Sequence, residues 1–171
     1  MNIAGFYPES SSNGEGLRAV IFVSGCPHMC PGCHNAEQQE LGYGNPIEQE
    51  KENILNSIKN NTTLKGITLS GGDPFYEPNV KELVELVREF KDMNIWCYTG
   101  YKLEQLLNRS CMHTSELLSY IDVLIDGKYV QSKYDSSLIF MGSSNQRIID
   151  VQKTLNDNEI HLYEMNIFPK F

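Results

Sequence analysis

The chain has no basic run. Its 14 Lys and Arg are outnumbered by 22 Asp and Glu, for a formal net charge of -8, and no segment offers the positive stripe that a nucleic-acid backbone requires. No apolar stretch approaches the roughly 18 residues of a membrane span. The first residues, Met1-Asn2-Ile3-Ala4-Gly5-Phe6-Tyr7-Pro8-Glu9, carry neither the basic nor the apolar region of a secretory signal. Internal repeats and low-complexity segments are absent, and 171 residues suit one domain, 1–171, better than two. Cysteine is scarce as well: five residues, an odd number, which argues against a disulfide framework and for metal or redox chemistry in a reducing compartment. The expectation is a cytoplasmic protein that binds neither nucleic acid nor membrane.

What is present is concentrated. Three of the five cysteines, Cys26, Cys30 and Cys33, fall within eight residues at C-x3-C-x2-C spacing, directly after residues 19–24, Ala-Val-Ile-Phe-Val-Ser, an apolar β-branched run that reads as a strand buried on both faces. Residues 9–18 are polar and glycine-bearing, a loop by composition. Residues 47–60 place Ile47, Ile54, Leu55 and Ile58 on one stripe of an amphipathic helix. Residues 66–70 form a second strand ending in Gly71-Gly72-Asp73-Pro74, and residues 79–93 a second helix. Residues 95–99 form a third strand ending in Gly100-Tyr101. Residues 103–107 and 115–121 read as a broken helix, and residues 123–125 as a fourth strand ending in Asp126-Gly127-Lys128. Beyond it, residues 148–155 fit a helix or a strand, and residues 159–168 a last strand with a packed tail to 171.

This β-α-β-α-β-α-β order predicts an α/β fold with a mostly parallel sheet. The cysteines, Gly71-Gly72-Asp73-Pro74, Thr99-Gly100-Tyr101 and Asp126-Gly127-Lys128 each follow a parallel strand, so all four gather on the sheet edge where such folds bind ligands. Two readings of the cysteines stand at this level. A structural zinc site wants four ligands in a closed tetrahedron; an iron–sulfur cubane normally takes four thiolates, and three leave one iron open to a substrate or cofactor. Cys97 reads as a core residue, Cys111 has no companion, and His28 and His34 fit a polar lining better than a fourth ligand.

The cysteine triplet after a first strand, with Gly71-Gly72-Asp73-Pro74 after the second, resembles the signature of the radical S-adenosylmethionine enzymes. Finer blocks resemble one branch, the activating proteins of anaerobic ribonucleoside-triphosphate reductases: Asn13-Gly14-x-Gly16-x-Arg18, Phe22-Val23-Ser24-Gly25-Cys26, Cys30-Pro31-Gly32-Cys33-His34-Asn35, Tyr98-Thr99-Gly100-Tyr101-Lys102 and Gly142-Ser143-Ser144-Asn145-Gln146-Arg147. The resemblance covers about 13–147. Gly32 stands where most of the superfamily has an aromatic residue, as this branch allows, and Glu15 where relatives often have proline.

The resemblance implies a partial, laterally open (βα) barrel, since a complete one needs about 200 residues or more. It implies a [4Fe-4S] cluster on Cys26, Cys30 and Cys33, with S-adenosyl-L-methionine chelating the fourth iron. Gly32, Cys33, His34, Gly71, Gly72 and Asp73 would lie beside that cofactor, with Asn145 and Arg147 as further candidates for its ribose or carboxylate or for partner docking. Reductive cleavage to a 5′-deoxyadenosyl radical would then store a glycyl radical in the large subunit of the reductase, fed by a low-potential donor such as flavodoxin. The competing expectations are a radical enzyme for a small molecule such as a nucleobase precursor, and a zinc-stabilised binding module.

Overall fold

The computed structural model describes residues 1–165. Among them, seven strands and five α-helices follow in the order β1(Asn2–Ser10), β2(Arg18–Val23), β3(Asn45–Pro46), α1(Ile47–Lys59), β4(Gly66–Gly71), α2(Glu77–Val87), β5(Asn94–Tyr98), α3(Leu103–Leu107), α4(Met112–Tyr120), β6(Val123–Asp126), β7(Arg147–Asp150) and α5(Val151–Asp157). One sheet takes all the strands, in the order β3-β1-β2-β4-β5-β6-β7. The central four, β2, β4, β5 and β6, run parallel, while β1 and β7 flank them antiparallel. The sheet is open, with β3 and β7 at its edges. No helix among the described residues is long and apolar enough to cross a membrane.

The two faces of the sheet are covered differently. Because side chains alternate along a strand, Ile21 and Val23 of β2, Leu69 of β4, Cys97 of β5 and Leu124 of β6 point into one core. Buried residues from all five helices meet them there, among them Ile54, Leu83, Leu103, Leu117 and Val151. The opposite face is smaller: Trp96, Val123, Ile125 and Ile148 pack with Phe140, Met141 and Tyr163. Part of that second cover comes from residues 127–146, the long excursion between β6 and β7.

The N-terminal ends of the parallel strands are fastened by Arg18, which is only 1% exposed. Its Nε donates to Thr68 Oγ1 at 2.9 Å and its Nη2 to the carbonyls of Ile67 and Asn94 at 2.7 and 2.8 Å, while the guanidinium lies 5.3 Å from the Trp96 ring centroid. Burial pulls its pKa down to about 10. Gly14, at φ +135°, has no room for a side chain, since a Cβ would come within 2.8 Å of Arg18 and 2.9 Å of Trp96. The Asn13-Gly14-x-Gly16-x-Arg18 block thus closes the edge opposite the cysteine loop.

Three expectations change. The first residues form β1, paired along β2, where the sequence suggested no element; register shifts between Ile3 and Gly5 and between Tyr7 and Ser10 break the alternation by which a strand is recognised. Residues 148–155 are neither wholly helix nor strand. β7 ends at Asp150, whose carboxylate accepts from Lys153 N and caps α5. The expected strand at residues 159–168 reduces, over the described residues, to a bridge between Ile149 and Leu162, held by Asp150 N donating to His161 O and Tyr163 N to Ile148 O, each at 2.9 Å. The remainder of the expected tail, 166–171, lies outside the described residues.

Two substitutions test this architecture by urea denaturation. Ile21→Ala, at a fully buried site on the helix-covered face, is expected to lower stability by about 2–5 kcal/mol. Arg18→Met keeps most of the stem and removes the donors to Thr68 Oγ1 and to the Ile67 and Asn94 carbonyls, and is expected to cost at least about 2 kcal/mol; wild-type stability in that variant would show that the strand starts do not depend on Arg18.

Candidate metal and cofactor site

The C-terminal ends of β2, β4, β5 and β6 open onto a cavity of about 390 Å³. Cys26, His28, Cys30, Cys33 and His34 line it from the loop after β2, Gly71 and Gly72 from the end of β4, Thr99 and Gly100 from the end of β5, and Gly127 from the end of β6. All four motifs picked out along the chain therefore meet at one place, for the reason that parallel strands end on one edge.

Backbone hydrogen bonds fix the root of the cysteine loop. Gly25 N donates to Gln38 O at 2.8 Å, Cys26 N to Gln39 O at 3.0 Å, Gly72 N to Val23 O at 2.7 Å and Asp73 N to Gly25 O at 2.8 Å. Asn35 Nδ2 donates to Gly71 O at 3.0 Å. The chain segments cross so closely that a Cβ at Gly72 would lie 2.3 Å from Gly25 O and 2.7 Å from Gln38 O, and one at Gly71, with φ +108°, 2.3 Å from Val23 O. These two glycines are required by the protein's own backbone, whatever the cavity holds.

Cys26, Cys30 and Cys33 are free and half-buried. Burial pushes the Cys26 thiol up to about 11, opposed by the nearby backbone N–H of His28. Burial and the neighbouring Cys33 also raise Cys30, opposed by the backbone N–H of Tyr129. Burial at Cys26 and Cys30 thus favours the neutral thiol until a cation displaces the proton. Of the other thiols, Cys97 is buried in the helix-side core and Cys111 precedes α4; neither lines the cavity. Three thiols on one loop, with open space before them and no fourth thiol beside them, fit an iron–sulfur cluster with one iron left for another ligand better than a closed zinc tetrahedron.

Asp73 sits behind this loop. Its side chain is fully buried and accepts from Phe75 N at 2.8 Å, Thr99 Oγ1 at 2.9 Å, Gly100 N at 2.9 Å and His28 Nε2 at 2.8 Å. One carboxylate so ties the cysteine loop, the turn after β4 and the end of β5. Cys26, His28 and Asp73 place a sulfur, a ring nitrogen and a carboxylate oxygen within 4.8 Å of one another, but the Asp73 oxygens already serve four donors.

Asn145 and Arg147 stand beside the cavity rather than among its lining residues. Asn145 Nδ2 donates to Lys128 O at 2.8 Å. Arg147 pairs with Glu104, at 2.9 and 2.7 Å, and with the buried Asp126, to which its Nε donates at 3.0 Å; Lys102 Nζ joins the same carboxylate at 3.2 Å. Between them Gln146 lines the cavity, donating to Gly127 O at 2.9 Å and accepting from Gly142 N at 2.8 Å. The sequence reading missed most of the wall that residues 127–146 provide, including Tyr129, Tyr134 and Met141. Its only local signal was the weakly patterned run after Asp126-Gly127-Lys128.

Residues 12–149 match the family described as a 4Fe-4S single cluster domain. Over 155 residues the chain is 44% identical to the anaerobic ribonucleoside-triphosphate reductase-activating protein of Haemophilus influenzae, covering 86% of this chain and 97% of that one. The Escherichia coli K12 protein of the same name is 43% identical over 152 residues, 85% and 96% of the two chains, and that of Enterobacteria phage T4 is 37% identical over 152 residues, 86% and 93%. A shared iron–sulfur domain and these long, nearly full-length matches converge on one conclusion: the chain belongs to the family of anaerobic ribonucleoside-triphosphate reductase-activating proteins.

Proposed function

We propose that this protein activates an anaerobic ribonucleoside-triphosphate reductase by generating a glycyl radical on its large subunit. The observation that carries the reading is the set of three half-buried thiols on one loop, facing the Gly71–Gly72 turn across a cavity with no fourth thiol. Cys26, Cys30 and Cys33 would hold three irons of a [4Fe-4S] cluster, leaving the fourth to the amino and carboxylate groups of S-adenosylmethionine. When bound, the cluster supplies the electron that cleaves S-adenosylmethionine to methionine and a 5′-deoxyadenosyl radical, which takes a hydrogen atom from a glycine of the reductase.

The chain's own residues orient and shield. Gly71 and Gly72 bring the backbone after β4 to the cavity wall, where Gly71 O accepts from Asn35 Nδ2 and would share its second lone pair with a ligand ammonium. Gly32, at φ +73° with the Gln131 side chain 3.0 Å from where a Cβ would sit, keeps the loop thin beside Cys33 and His34. Asp73 serves by holding the loops in register, since its oxygens already have donors. Asn145 and Arg147 serve by pinning residues 127–146 over the cavity through Lys128, Asp126 and Glu104.

All five helices pack on one face of the sheet, which supports a partial, laterally open barrel of the radical S-adenosylmethionine type, because helices form the outer ring of such folds. An open flank suits a macromolecular substrate that inserts a loop, whereas an enzyme for a small molecule must close its site around a radical. On this reading the chain works as one cytoplasmic domain, 1–171, supplied by a low-potential donor such as flavodoxin.

Anaerobic iron and sulfide analysis tests the ligand assignment directly. Cys26→Ala, Cys30→Ala and Cys33→Ala are each expected to lose at least about 100-fold in reductive cleavage, read as methionine release, while Cys97→Ala keeps the wild-type iron content. Full cleavage in any of the first three would remove that cysteine from the ligand set. With S-adenosylmethionine, reductant and the reductase, electron paramagnetic resonance is expected to show a glycyl radical in the large subunit; a competent reductase that stays radical-free would refute the proposed activity. Gly72→Val is expected to weaken S-adenosylmethionine binding by about tenfold or more and also to lower cluster content, because its side chain collides with Gly25 O at the root of the cysteine loop.

A further inference from the structure

Two stretches of chain border the cavity and also present large apolar side chains to solvent. In the cysteine loop, Met29 stands between His28 and Cys30, which line the cavity, yet is itself 67% exposed. In the excursion between β6 and β7, Tyr134 and Leu138 line the cavity, and Ile139, beside Leu138, is 38% exposed. A single exposed apolar side chain is ordinary. Several around one opening mark a surface that another molecule covers.

Backbone strain accompanies this exposure. Met29 has φ 49° and Phe140, which follows Ile139, has φ 61°, left-handed values unfavourable for a residue with a side chain. Phe140 is compensated by packing, its ring edge-on to Trp96 with centroids 5.3 Å apart. The solvent-exposed Met29 side chain recovers little of the cost within the chain.

Charge is distributed to match. Residues 19–36 contain no Asp, Glu, Lys or Arg, and residues 127–146 hold one acid, Asp135, against Lys128 and Lys133. Asp135 is occupied locally, accepting from Ser137 N at 2.8 Å and Ser137 Oγ at 2.6 Å. Both lysines are exposed, and neither makes an ion pair among the described residues. Acidic residues gather instead on helices such as α1, with Glu48, Glu50 and Glu52, and α2, with Glu77, Glu82 and Glu85. On a chain of net charge -8, the border of the cavity is therefore apolar and locally basic, complementary to a segment that is apolar and neutral or acidic. A second copy meeting this border through a two-fold axis would set lysine against lysine.

We propose that Met29, Ile139 and Lys133 form the docking surface for the polypeptide segment that carries the target glycine, a segment whose residues around that glycine are apolar and neutral or acidic. This rests on the reading that the protein acts on the large subunit of the reductase. The segment must reach the cavity to meet a radical formed there, so its contacts fall on the chain that borders it. Met29 and Ile139 supply the apolar contact, and Lys133 supplies the charge at the rim.

The test is anaerobic titration calorimetry of the cluster-loaded protein against the purified large subunit, with iron content and S-adenosylmethionine cleavage in the absence of reductase as controls. Met29→Gly removes the side chain but keeps a backbone angle that glycine adopts freely, and is expected to raise the Kd about tenfold. Ile139→Ser is expected to raise it about fivefold. Lys133→Glu is expected to raise it about tenfold at low salt, whereas Lys81→Glu, the same change at an exposed site on α2, stays within about twofold of wild type. Iron content and reductase-free cleavage are expected to match wild type in each variant. Wild-type affinity in both Met29→Gly and Ile139→Ser overturns the inference. So does a Lys133→Glu protein that binds more tightly, or a Lys81→Glu protein that loses as much affinity as Lys133→Glu. Loaded protein that sediments alone as a dimer, and as a monomer with Ile139→Ser, assigns these side chains to a second copy and overturns it too. If Met29→Gly does not load, Ile139→Ser decides: reduced affinity supports the docking surface, and unchanged affinity overturns it. Loaded wild-type protein that binds no large subunit instead overturns the proposed function on which the inference stands.

Discussion

The carboxylate of Asp73 is the point on which the site depends. A charged side chain taken wholly out of water is costly unless it is hydrogen-bonded on every side. Here the donors come from three loops that have no regular structure of their own: His28 from the loop after β2, Phe75 from the turn after β4, and Thr99 and Gly100 from the end of β5. Satisfying one buried acceptor thereby brings three strand ends into a fixed relation. The same bonds explain why Asp73 belongs to the glycine-rich turn without itself lining the cavity.

The sheet divides its work between its two edges. At the start of the parallel strands, Arg18 gathers Ile67, Thr68 and Asn94 around a buried guanidinium stacked near Trp96. At their ends, Gly71 and Gly72 let the segment after β4 cross beneath the root of the cysteine loop at distances that no side chain tolerates. The first arrangement fixes the frame. The second shapes the cavity that the three thiols line. Residues 127–146, tied down by the Asp126, Lys102, Arg147 and Glu104 cluster, supply a wall that the parallel strands alone would leave open.

Much of this was legible before any coordinates. The four central strands and the helices between them follow from apolar runs and stripes that alternate along the chain, and the gathering of four motifs at one edge follows from parallel topology. β1 was not legible, because its register shifts break the alternation and its residues are only partly buried. The 148–155 run reads as helix or strand for a physical reason: it joins the end of the four-residue β7 to the start of the seven-residue α5, each too short for its period to declare itself. Asn145 and Arg147 stand out by motif as candidates for cofactor contact or partner docking, and what the motif does not show is their place in the fold, where Asn145 donates to Lys128 O and Arg147 pairs with Asp126 and Glu104.

By itself the sequence determined that three thiols share one short loop, because thiols within eight residues are brought together by the chain's own connectivity, wherever the loop lies. It also determined that the glycine-rich turn would share an edge with them. Only the tertiary structure decided how that loop is held. His28 meets Asp73 across 45 residues and Arg147 meets Glu104 across 43, while Gly72 passes under Gly25 at backbone distance. Such pairings depend on strand order, register and the path of loops over the sheet edge. Local periodicity carries none of these, so the thiols could be read from the chain but not the clamp that positions them.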